Sequence, residues 1–253
     1  MTNNNTNTAT AERGLTASRI IQGDCLAVLP TLPSASIDAV ITDPPYLGRY
    51  RDRTGRTLAN DDKPSAVVGV YAELYRILKP NSFCVTFYGY PKLDAFVHAW
   101  TEAGFDTVGH IIWTKPYASS SRFVRVTHES AYILAKGRPQ KPARLLDDVQ
   151  PWEYTGNVAH PTEKAISVIK PLVETFSPPG GVVLDPFSGS GSTAVAAALA
   201  GRRYLGIELE EKYCQLARRR LGGVERFMKR RAQQPVPIFV PILSNRRGPA
   251  PRG

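Results

Sequence analysis

Two kinds of hydrophobic pattern alternate along the chain. Short, nearly continuous apolar runs predict buried strands, and longer stretches with apolar residues every three to four positions predict helices. The predicted strands are Ile37–Thr42, Ser82–Tyr88, Phe105–Trp113, Glu129–Ala135, Val182–Asp185 and Tyr204–Glu208. The predicted helices are Ser65–Leu78, Leu93–Ala103, Ile166–Phe176, Ala194–Ala200 and Glu211–Leu221. Because strands and helices alternate, we expect an α/β fold with a doubly wound, mostly parallel sheet.

The regular pattern fails in three segments, which divide the chain. Residues 1–17 are polar and rich in Asn and Thr, and we expect them to be disordered. Residues 18–224 form the predicted core domain, within which residues 136–158 lose the pattern and gain prolines and glycines. Residues 225–253 are a basic tail rich in Pro and Arg. Its one apolar run, Val236–Leu243, could pack on the core or on a second subunit.

A rigid turn follows the predicted strand Ile37–Thr42. Asp43-Pro44-Pro45-Tyr46 comes directly after Thr42, at a strand end where open α/β folds bind ligands. Two consecutive prolines fix the backbone and donate no hydrogen bonds, so the carbonyls around them can face a ligand. A carboxylate and an aromatic ring beside them suit a planar partner with an exocyclic amine, such as a nucleobase. Taken alone, the segment could also be an ordinary proline-stiffened turn with a surface tyrosine.

A glycine-rich turn follows the strand that ends at Asp185. Pro186-Phe187-Ser188-Gly189-Ser190-Gly191-Ser192-Thr193 leads into a helix, and glycines beside a helix N-terminus form a nucleotide-type binding edge. The turn is neither a P-loop nor a dinucleotide fingerprint. The next strand ends in Glu208, where such folds place a carboxylate for ribose hydroxyls. The alternative for Glu208 is an acidic residue at a helix start, because two more glutamates follow it.

In their order along the chain, these motifs resemble those of S-adenosylmethionine-dependent DNA amino-methyltransferases of the β type, in which Asp-Pro-Pro-Tyr precedes Phe-x-Gly-x-Gly. Further matching segments are Gly23-Asp24-Cys25, Ile111-Ile112-Trp113-Thr114-Lys115 and His160-Pro161-Thr162-Glu163-Lys164. The resemblance runs from about Arg19 to Leu221, and one departure is Ala165, where the family usually has proline. It implies a Rossmann-like methyltransferase fold for residues 18–224, with a seven-stranded sheet that has one antiparallel strand near an edge. It also makes residues 136–158 a short target-recognition segment.

For the chemistry, the resemblance implies methyl transfer from S-adenosylmethionine to the exocyclic nitrogen of a base flipped out of double-stranded DNA. Asp43 and the Pro44 carbonyl would accept the N–H bonds of the amine, and Tyr46, next to Pro45, would stack on the base. Asp24 would contact the adenine of the cofactor and Glu208 its ribose. The other implied cofactor residues are Thr162, Lys164, Ser192 and Thr193 at the amino-acid end, and Cys25, Asp43, Asp185, Phe187, Ser188, Gly189, Ser190 and Gly191 elsewhere.

Composition and charge agree with a DNA-binding enzyme. The chain has 253 residues, of which 42% are hydrophobic, and this suffices for one sizeable core. Its net charge of +10 favours a polyanion as partner. Basic residues on predicted loops are candidates for contacts with DNA phosphates: Arg49, Arg51, Arg53, Arg56, Arg122, Arg125, Lys136 and Arg138. The alternative is that these charges are only solvated.

Other sequence features bear on the cellular location and on metal binding. The sequence contains no apolar run long enough to cross a bilayer and no signal peptide, so we expect no membrane contact and a cytoplasmic protein of bacterial or phage origin, held at the nucleoid by DNA. Cys25, Cys84 and Cys214 lack the spacing of metal ligands, as do the histidines, so we expect reduced, buried thiols and no metal site.

The identity of the target base is less constrained than the reaction. In the family, Asp at the position of Asp43 favours adenine N6, whereas enzymes acting on cytosine N4 more often carry serine there. Cytosine N4 remains the alternative because the geometry is the same. Carbon-5 methylation is disfavoured, since no cysteine follows a proline. A protein glutamine methyltransferase would have Asn instead of Asp43 and the reverse motif order. A non-catalytic DNA-binding subunit would be expected to have lost Asp43 or the glycines.

The short recognition segment bears on assembly. One subunit presents little surface with which to specify a site, and a two-fold homodimer would double the readout and match a palindrome. We therefore predict a dimer; the alternative is a monomer that reads a short site loosely.

Overall fold

The computed structural model of the chain describes residues 18–46, 67–119, 123–153 and 164–233. The strands are β1 (Arg19–Gln22), β2 (Ile37–Thr42), β3 (Leu78–Phe87), β4 (Asp106–Ser119), β5 (Val126–Lys136), β6 (Val149–Pro151), β7 (Val182–Asp185) and β8 (Arg203–Glu208). The α-helices are α1 (Cys25–Val28), α2 (Val70–Ile77), α3 (Leu93–Ala103), α4 (Ile166–Phe176), α5 (Ser192–Leu199) and α6 (Glu211–Gln233). The head, residues 1–17, and the apolar run Val236–Leu243 lie outside the described residues.

In the described part of the chain, eight strands form one sheet in the order β1-β8-β7-β2-β3-β5-β4-β6. Only β5 runs antiparallel to its neighbours in this sheet. The predicted fold class is confirmed, but the sheet has eight strands rather than seven. The hydrophobic pattern did not reveal β1 and β6, because strands of four and three residues are too short to show a period. β6 lies within the segment 136–158 and pairs with β4.

Helices cover both faces of the sheet. In the central strand β2, Val40 packs with the core on the side of α1, α2 and α3, and Ile41 packs with the core on the side of α4, α5 and α6. β7 alternates in the same way, with Leu184 on the first side and Val183 on the second. Because both strands are buried on both faces, they read as continuous apolar runs in the sequence.

Helix α6 differs most from its prediction. It does not end at Leu221 but continues through Gly222 and Gly223 to Gln233. Glycine ends a helix by adopting a left-handed conformation, and neither of these glycines has a positive φ. The predicted domain boundary at residue 224 therefore falls inside a helix. By contrast, α3 and α4 have the predicted bounds.

The carboxyl ends of the central strands meet at one edge of the sheet. β2 pairs in parallel with β7, so the turn after Thr42 lies beside the turn after Asp185. From this pair the chain proceeds to β3 on one side and to β8 on the other, which is the switch point where open α/β sheets bind ligands. β8 and β1 end at the same edge. Among the described residues, no helix has the length and apolar character needed to span a bilayer.

Candidate active site

A cleft of about 790 Å³ runs along this edge of the sheet. We call its side around Asp43–Tyr46 the acceptor half, and its side around Asp185–Thr193 and Glu208 the glycine half. The following predicted residues line it: Asp24, Cys25, Asp43, Pro44, Pro45, Tyr46, Arg125, Lys164, Asp185, Phe187, Ser188, Gly189, Ser190, Ser192, Thr193 and Glu208. The structure thus brings both motifs to one cavity. Thr162 lies outside the described residues.

The carboxylate of Asp43 already has two partners. The Tyr46 hydroxyl donates to Oδ1 at 2.9 Å, and Lys164 Nζ donates to Oδ2 at 2.5 Å. Burial raises the pKa of Asp43 above its usual value, and both partners act against this rise. Burial and the Asp43 charge also raise the pKa of Tyr46, so its hydroxyl stays a donor. The ion pair with Lys164 favours ionised Asp43, which can only accept hydrogen bonds.

Gly89 packs closely against the backbone of the Asp43–Tyr46 turn. A Cβ atom at this position would lie 2.4 Å from the Tyr46 carbonyl oxygen and 2.6 Å from its Cβ atom. The backbone of Gly89 is extended (φ −91°, ψ 114°), so conformation alone would admit other residues. Sequence reading did not single out Gly89. A glycine directly after a strand can mark a close approach of two backbones, and that signal could have found it.

Two carboxylates hold the glycine half in shape. Asp185 Oδ1 accepts hydrogen bonds from the Thr42 hydroxyl at 2.9 Å and from the Phe187 amide at 3.1 Å. Glu208 accepts the Gly189 amide on one oxygen and the Glu210 amide on the other, both at 2.8 Å. Burial raises the pKa of Asp185 to about 6, and it also raises the pKa of Glu208. Both carboxylates therefore order the backbone that surrounds the cavity, and the ribose role of Glu208 stays a prediction.

Arg220 of α6 forms hydrogen bonds with the glycine turn. Its guanidinium donates to the Ser190 carbonyl at 2.8 Å and to the Ser190 hydroxyl at 2.7 Å. Gly191 has a φ of 83°, and a Cβ atom there would lie 2.7 Å from the Cβ atom of Ala217, also in α6. α6 thus packs directly on the turn. Sequence reading missed Arg220, because its partner lies far away along the chain.

Asp24 and Cys25, which follow β1, and Ser188 of the glycine half make only local contacts or are buried. Asp24 Oδ1 accepts the Leu26 amide at 2.9 Å and caps α1. Cys25 is buried, which raises the pKa of its thiol to about 12. Ser188 Oγ is buried and has no hydrogen-bond partner among the described residues. Within the described ranges, no group of three or more His, Cys, Asp or Glu side chains could hold a metal ion.

The outer wall of the acceptor half comes from β4 and β5. Lys115 and Glu129 line the cleft as an ion pair with a 2.9 Å separation, in which the Lys115 side chain is only 2% exposed. At the rim, Val124 and Arg125 line the cleft, and the adjacent Phe123 is 93% exposed. An exposed phenylalanine beside a basic residue gives this rim both apolar and cationic character.

The predicted DNA-binding residues fall into three groups. Arg125 is exposed at the cleft. Lys136 and Arg138 follow antiparallel β5 to the opposite edge of the sheet, where Lys136 Nζ donates to the carbonyls of Tyr75 and Leu78 at 2.6 and 2.7 Å. This position separates them from the cleft, so we do not include them in its DNA face. Those outside the described residues are Arg49, Arg51, Arg53, Arg56 and Arg122.

The chain is similar to known DNA methylases. The family model described as DNA methylase matches residues 37–219. A protein of Escherichia coli (strain K12) that carries the provisional name methylase YubD is 50% identical over 215 residues, which cover 85% of this chain and 95% of YubD. The DNA adenine methyltransferase YhdJ of the same organism is 28% identical over 249 residues, with coverages of 82% and 84%.

A solved structure has a similar fold. It is TTHA0409 of Thermus thermophilus, provisionally named a DNA modification methylase, in complex with S-adenosyl-L-methionine. The TM-score is 0.64 at 26% sequence identity, and the match covers 82% of this chain and 94% of that one.

Proposed function

Because the chain belongs to the DNA methylase family, we propose that it methylates adenine N6 at a defined sequence of duplex DNA, with S-adenosylmethionine as methyl donor. At the coarser level, the protein is a DNA methyltransferase of the class that acts on exocyclic amines. The observation that carries methyl transfer to an exocyclic amine is the Asp43 carboxylate, which lines the same cavity as the glycine turn. A single cavity of this kind can align an amine with a methyl donor.

The glycine half fits S-adenosylmethionine. The turn of residues 186–190 and the carboxylates of Asp24 and Glu208 line this side of the cleft, and a carboxylate at such a strand end can accept ribose hydroxyls. The cofactor in the similar TTHA0409 structure supports the assignment. We assign Asp24 and Glu208 to the adenosine end, and Phe187 with residues 188–193 along the cofactor. When bound, S-adenosylmethionine supplies an electrophilic methyl group on its sulfur.

Asp43 and Pro44 act on the target amine. The lone pair of such an amine is delocalised into the base, which makes it a poor nucleophile. When the Asp43 carboxylate and the Pro44 carbonyl accept the two N–H bonds, the lone pair localises on nitrogen and points in one direction. Asp43 need not be a strong base, since the nitrogen becomes acidic only as it gains the methyl group. Alignment supplies much of the rate, about 7–11 kcal/mol in well-oriented systems.

The base must leave the duplex to reach Asp43. Extrusion costs a few kcal/mol, and stacking on the Tyr46 ring, which its hydroxyl bond to Asp43 holds in place, offsets part of that. At the rim, exposed Phe123 is suited to enter the gap that the base leaves in the stack, and Arg125 to contact a flanking phosphate. The rim thus joins DNA binding to base flipping.

Two observations favour adenine over cytosine. Asp stands at position 43, where the resemblance associates this residue with adenine N6. The similar protein YhdJ is a DNA adenine methyltransferase. Cytosine N4 would present its amine to the same acceptors. A test of the function must therefore identify which base is methylated as well as its position in the sequence.

A homodimer stays a prediction. Light scattering at micromolar concentration, without and with DNA, measures the assembly directly. We expect the mass of a dimer, and a monomer under both conditions would contradict the prediction.

Methylation-sensitive sequencing of DNA from cells that express the protein tests the function. We expect N6-methyladenine at one recurring sequence, and none in cells that express Asp43→Ala. Calorimetry on the purified Asp43→Ala variant should show S-adenosylmethionine binding close to wild type, because this carboxylate acts mainly on the amine. N4-methylcytosine would change the assigned base, and near-normal methylation by the variant would refute the mechanism.

A further inference from the structure

Lys164 contacts the Asp43–Tyr46 turn of the acceptor half. The resemblance puts it at the amino-acid end of the cofactor, whereas its Nζ lies 2.5 Å from Asp43 Oδ2 and 3.3 Å from the Tyr46 hydroxyl. We propose that Lys164 is a positioning residue for methyl transfer, which keeps the Asp43 carboxylate ionised and fixed in orientation so that it can accept an N–H of the target amine. This inference rests on the proposed function and deepens it.

The first argument is the number of acceptor sites on Asp43. An ionised carboxylate has two oxygens and about four lone-pair sites. Tyr46 takes one site on Oδ1 and Lys164 one on Oδ2, which fixes the plane of the carboxylate from both sides. Acceptor capacity remains on each oxygen for the amine. A protonated Asp43 would instead carry a donor on one oxygen and would accept fewer and weaker hydrogen bonds from the amine.

The second argument is the way in which Lys164 is held. Its side chain is 9% exposed. The ammonium lies 4.9 Å from the ring centroid of Phe87, 5.4 Å from that of Tyr46 and 5.9 Å from that of Trp152, and aromatic faces attract a cation. Its backbone directly precedes Ala165, the N-cap of α4. The described residues alone therefore fix the position of the ammonium.

The third argument is the balance of charge at Asp43. Other titratable side chains also lie around the Asp43 carboxylate. They are Tyr46, Tyr71 of α2, Lys115 of β4, Glu129 of β5 and Asp185 of β7. Lys115 is paired with Glu129, and Asp185 accepts from Thr42. Among the described residues, Lys164 is thus the cation that bonds Asp43 directly.

The pH dependence follows with a definite sign. Burial raises the pKa of Asp43, and the ammonium of Lys164 is the largest influence against that rise. Activity that needs the carboxylate is lost as the pH falls through this pKa. Removal of the ammonium lets the pKa rise further, so the acid limb of the activity profile moves to higher pH. Opposite charges at this distance shift a pKa by about 1–3 units.

The experiment compares Lys164→Met with Lys164→Arg and with the control Lys170→Met. Lys170 forms an ion pair of the same 2.5 Å length with Glu174 on the outer surface of α4. With DNA and cofactor saturating, we expect the acid limb of kcat to move up by about 1–3 pH units in Lys164→Met and little in the other two. If Lys164→Met leaves the limb in place and weakens cofactor binding, Lys164 acts on the cofactor and the proposal is overturned.

A second measurement does not depend on activity. Carbon-13 NMR of the Asp43 carboxyl, assigned by its loss in Asp43→Asn, gives the pKa of Asp43 without DNA or cofactor. We expect that pKa to rise in Lys164→Met and in Lys164→Gln, of which the second keeps a polar donor without the charge. An unchanged pKa in a folded variant overturns the proposal. Failure of the proposed function would instead appear as absent methylation by the wild type, and it would leave this titration readable.

Discussion

Replacing Gly89 with alanine tests whether the Asp43–Tyr46 turn is held in place by backbone packing. The extended backbone at Gly89 admits any L-residue, so the substitution adds a methyl group without conformational strain. That methyl group would lie 2.4 Å from the Tyr46 carbonyl oxygen, whereas ordinary van der Waals contact begins at 3.4 Å. One of the two segments must therefore retreat by about 1 Å.

The magnitude follows from where the displacement falls. Overpacking of this kind costs about 1–3 kcal/mol of stability. The turn that moves carries the residues that we propose hold the target amine, and a misplacement of about 1 Å can lower a rate by about 100-fold. We expect Gly89→Ala to lower kcat by about that factor. We expect cofactor binding to change little, because the three atoms nearest to the added Cβ atom all belong to Tyr46 in the acceptor half.

The assay pairs urea unfolding with methyl transfer to DNA and with calorimetry of cofactor binding. The control is Gly223→Ala in α6, where an added Cβ atom has no atom within 4 Å and should stabilise the helix by about 0.5–1 kcal/mol. If Gly89→Ala keeps wild-type stability and kcat, the turn is not held against Gly89 and the reasoning fails.

Three further substitutions address other parts of the cleft. Gly189→Val should weaken S-adenosylmethionine binding by crowding the glycine turn, and an unchanged calorimetric Kd would make that glycine structural only. Phe123→Ala should reduce the fluorescence rise of 2-aminopurine at the target position, which reports base flipping, and an unaltered rise would remove Phe123 from that step. Thr42→Val should destabilise the protein by about 1.5–3 kcal/mol near pH 8 and by less near pH 5, measured by urea unfolding. Burial raises the pKa of Asp185 to about 6, so its ionisation lowers the free energy of unfolding as the pH rises from about 4 to 6. The Thr42 hydrogen bond favours the ionised form, so removing this bond lowers the free energy of unfolding further at high pH.

The residues that could be predicted from the sequence are those whose signals are local. β2 and β7 are buried on both faces, so each is a continuous apolar run, and the motif residues follow each run directly. Their arrival at one cavity then followed from the parallel sheet. β1 and β6 carried too little pattern, and α6 ran through two glycines that resemble a helix end.

The tertiary contacts of other residues could not be predicted from the sequence. Lys164 meets Asp43 across 121 positions of sequence, and Arg220 meets Ser190 across 30, so no spacing rule connects them. Lys136 was assigned to DNA from its charge and its irregular neighbours. The antiparallel direction of β5 instead returns it to the far edge, where two backbone carbonyls bind its ammonium. Taking strand direction into account would have separated Lys136 from Arg125, which lies just before the other end of β5.

The bond between Thr42 and Asp185 joins the strands that precede the two motifs. These residues are 143 positions apart, yet their side chains meet at 2.9 Å because β2 and β7 are neighbours in the sheet. The acceptor half and the glycine half are thus joined through the two most buried strands. Methyl transfer depends on alignment of donor and amine, and sites built on strands are more precise than sites on loops. The central sheet therefore sets the alignment, while the DNA contacts that we propose for Phe123 and Arg125 lie at the rim of the cleft.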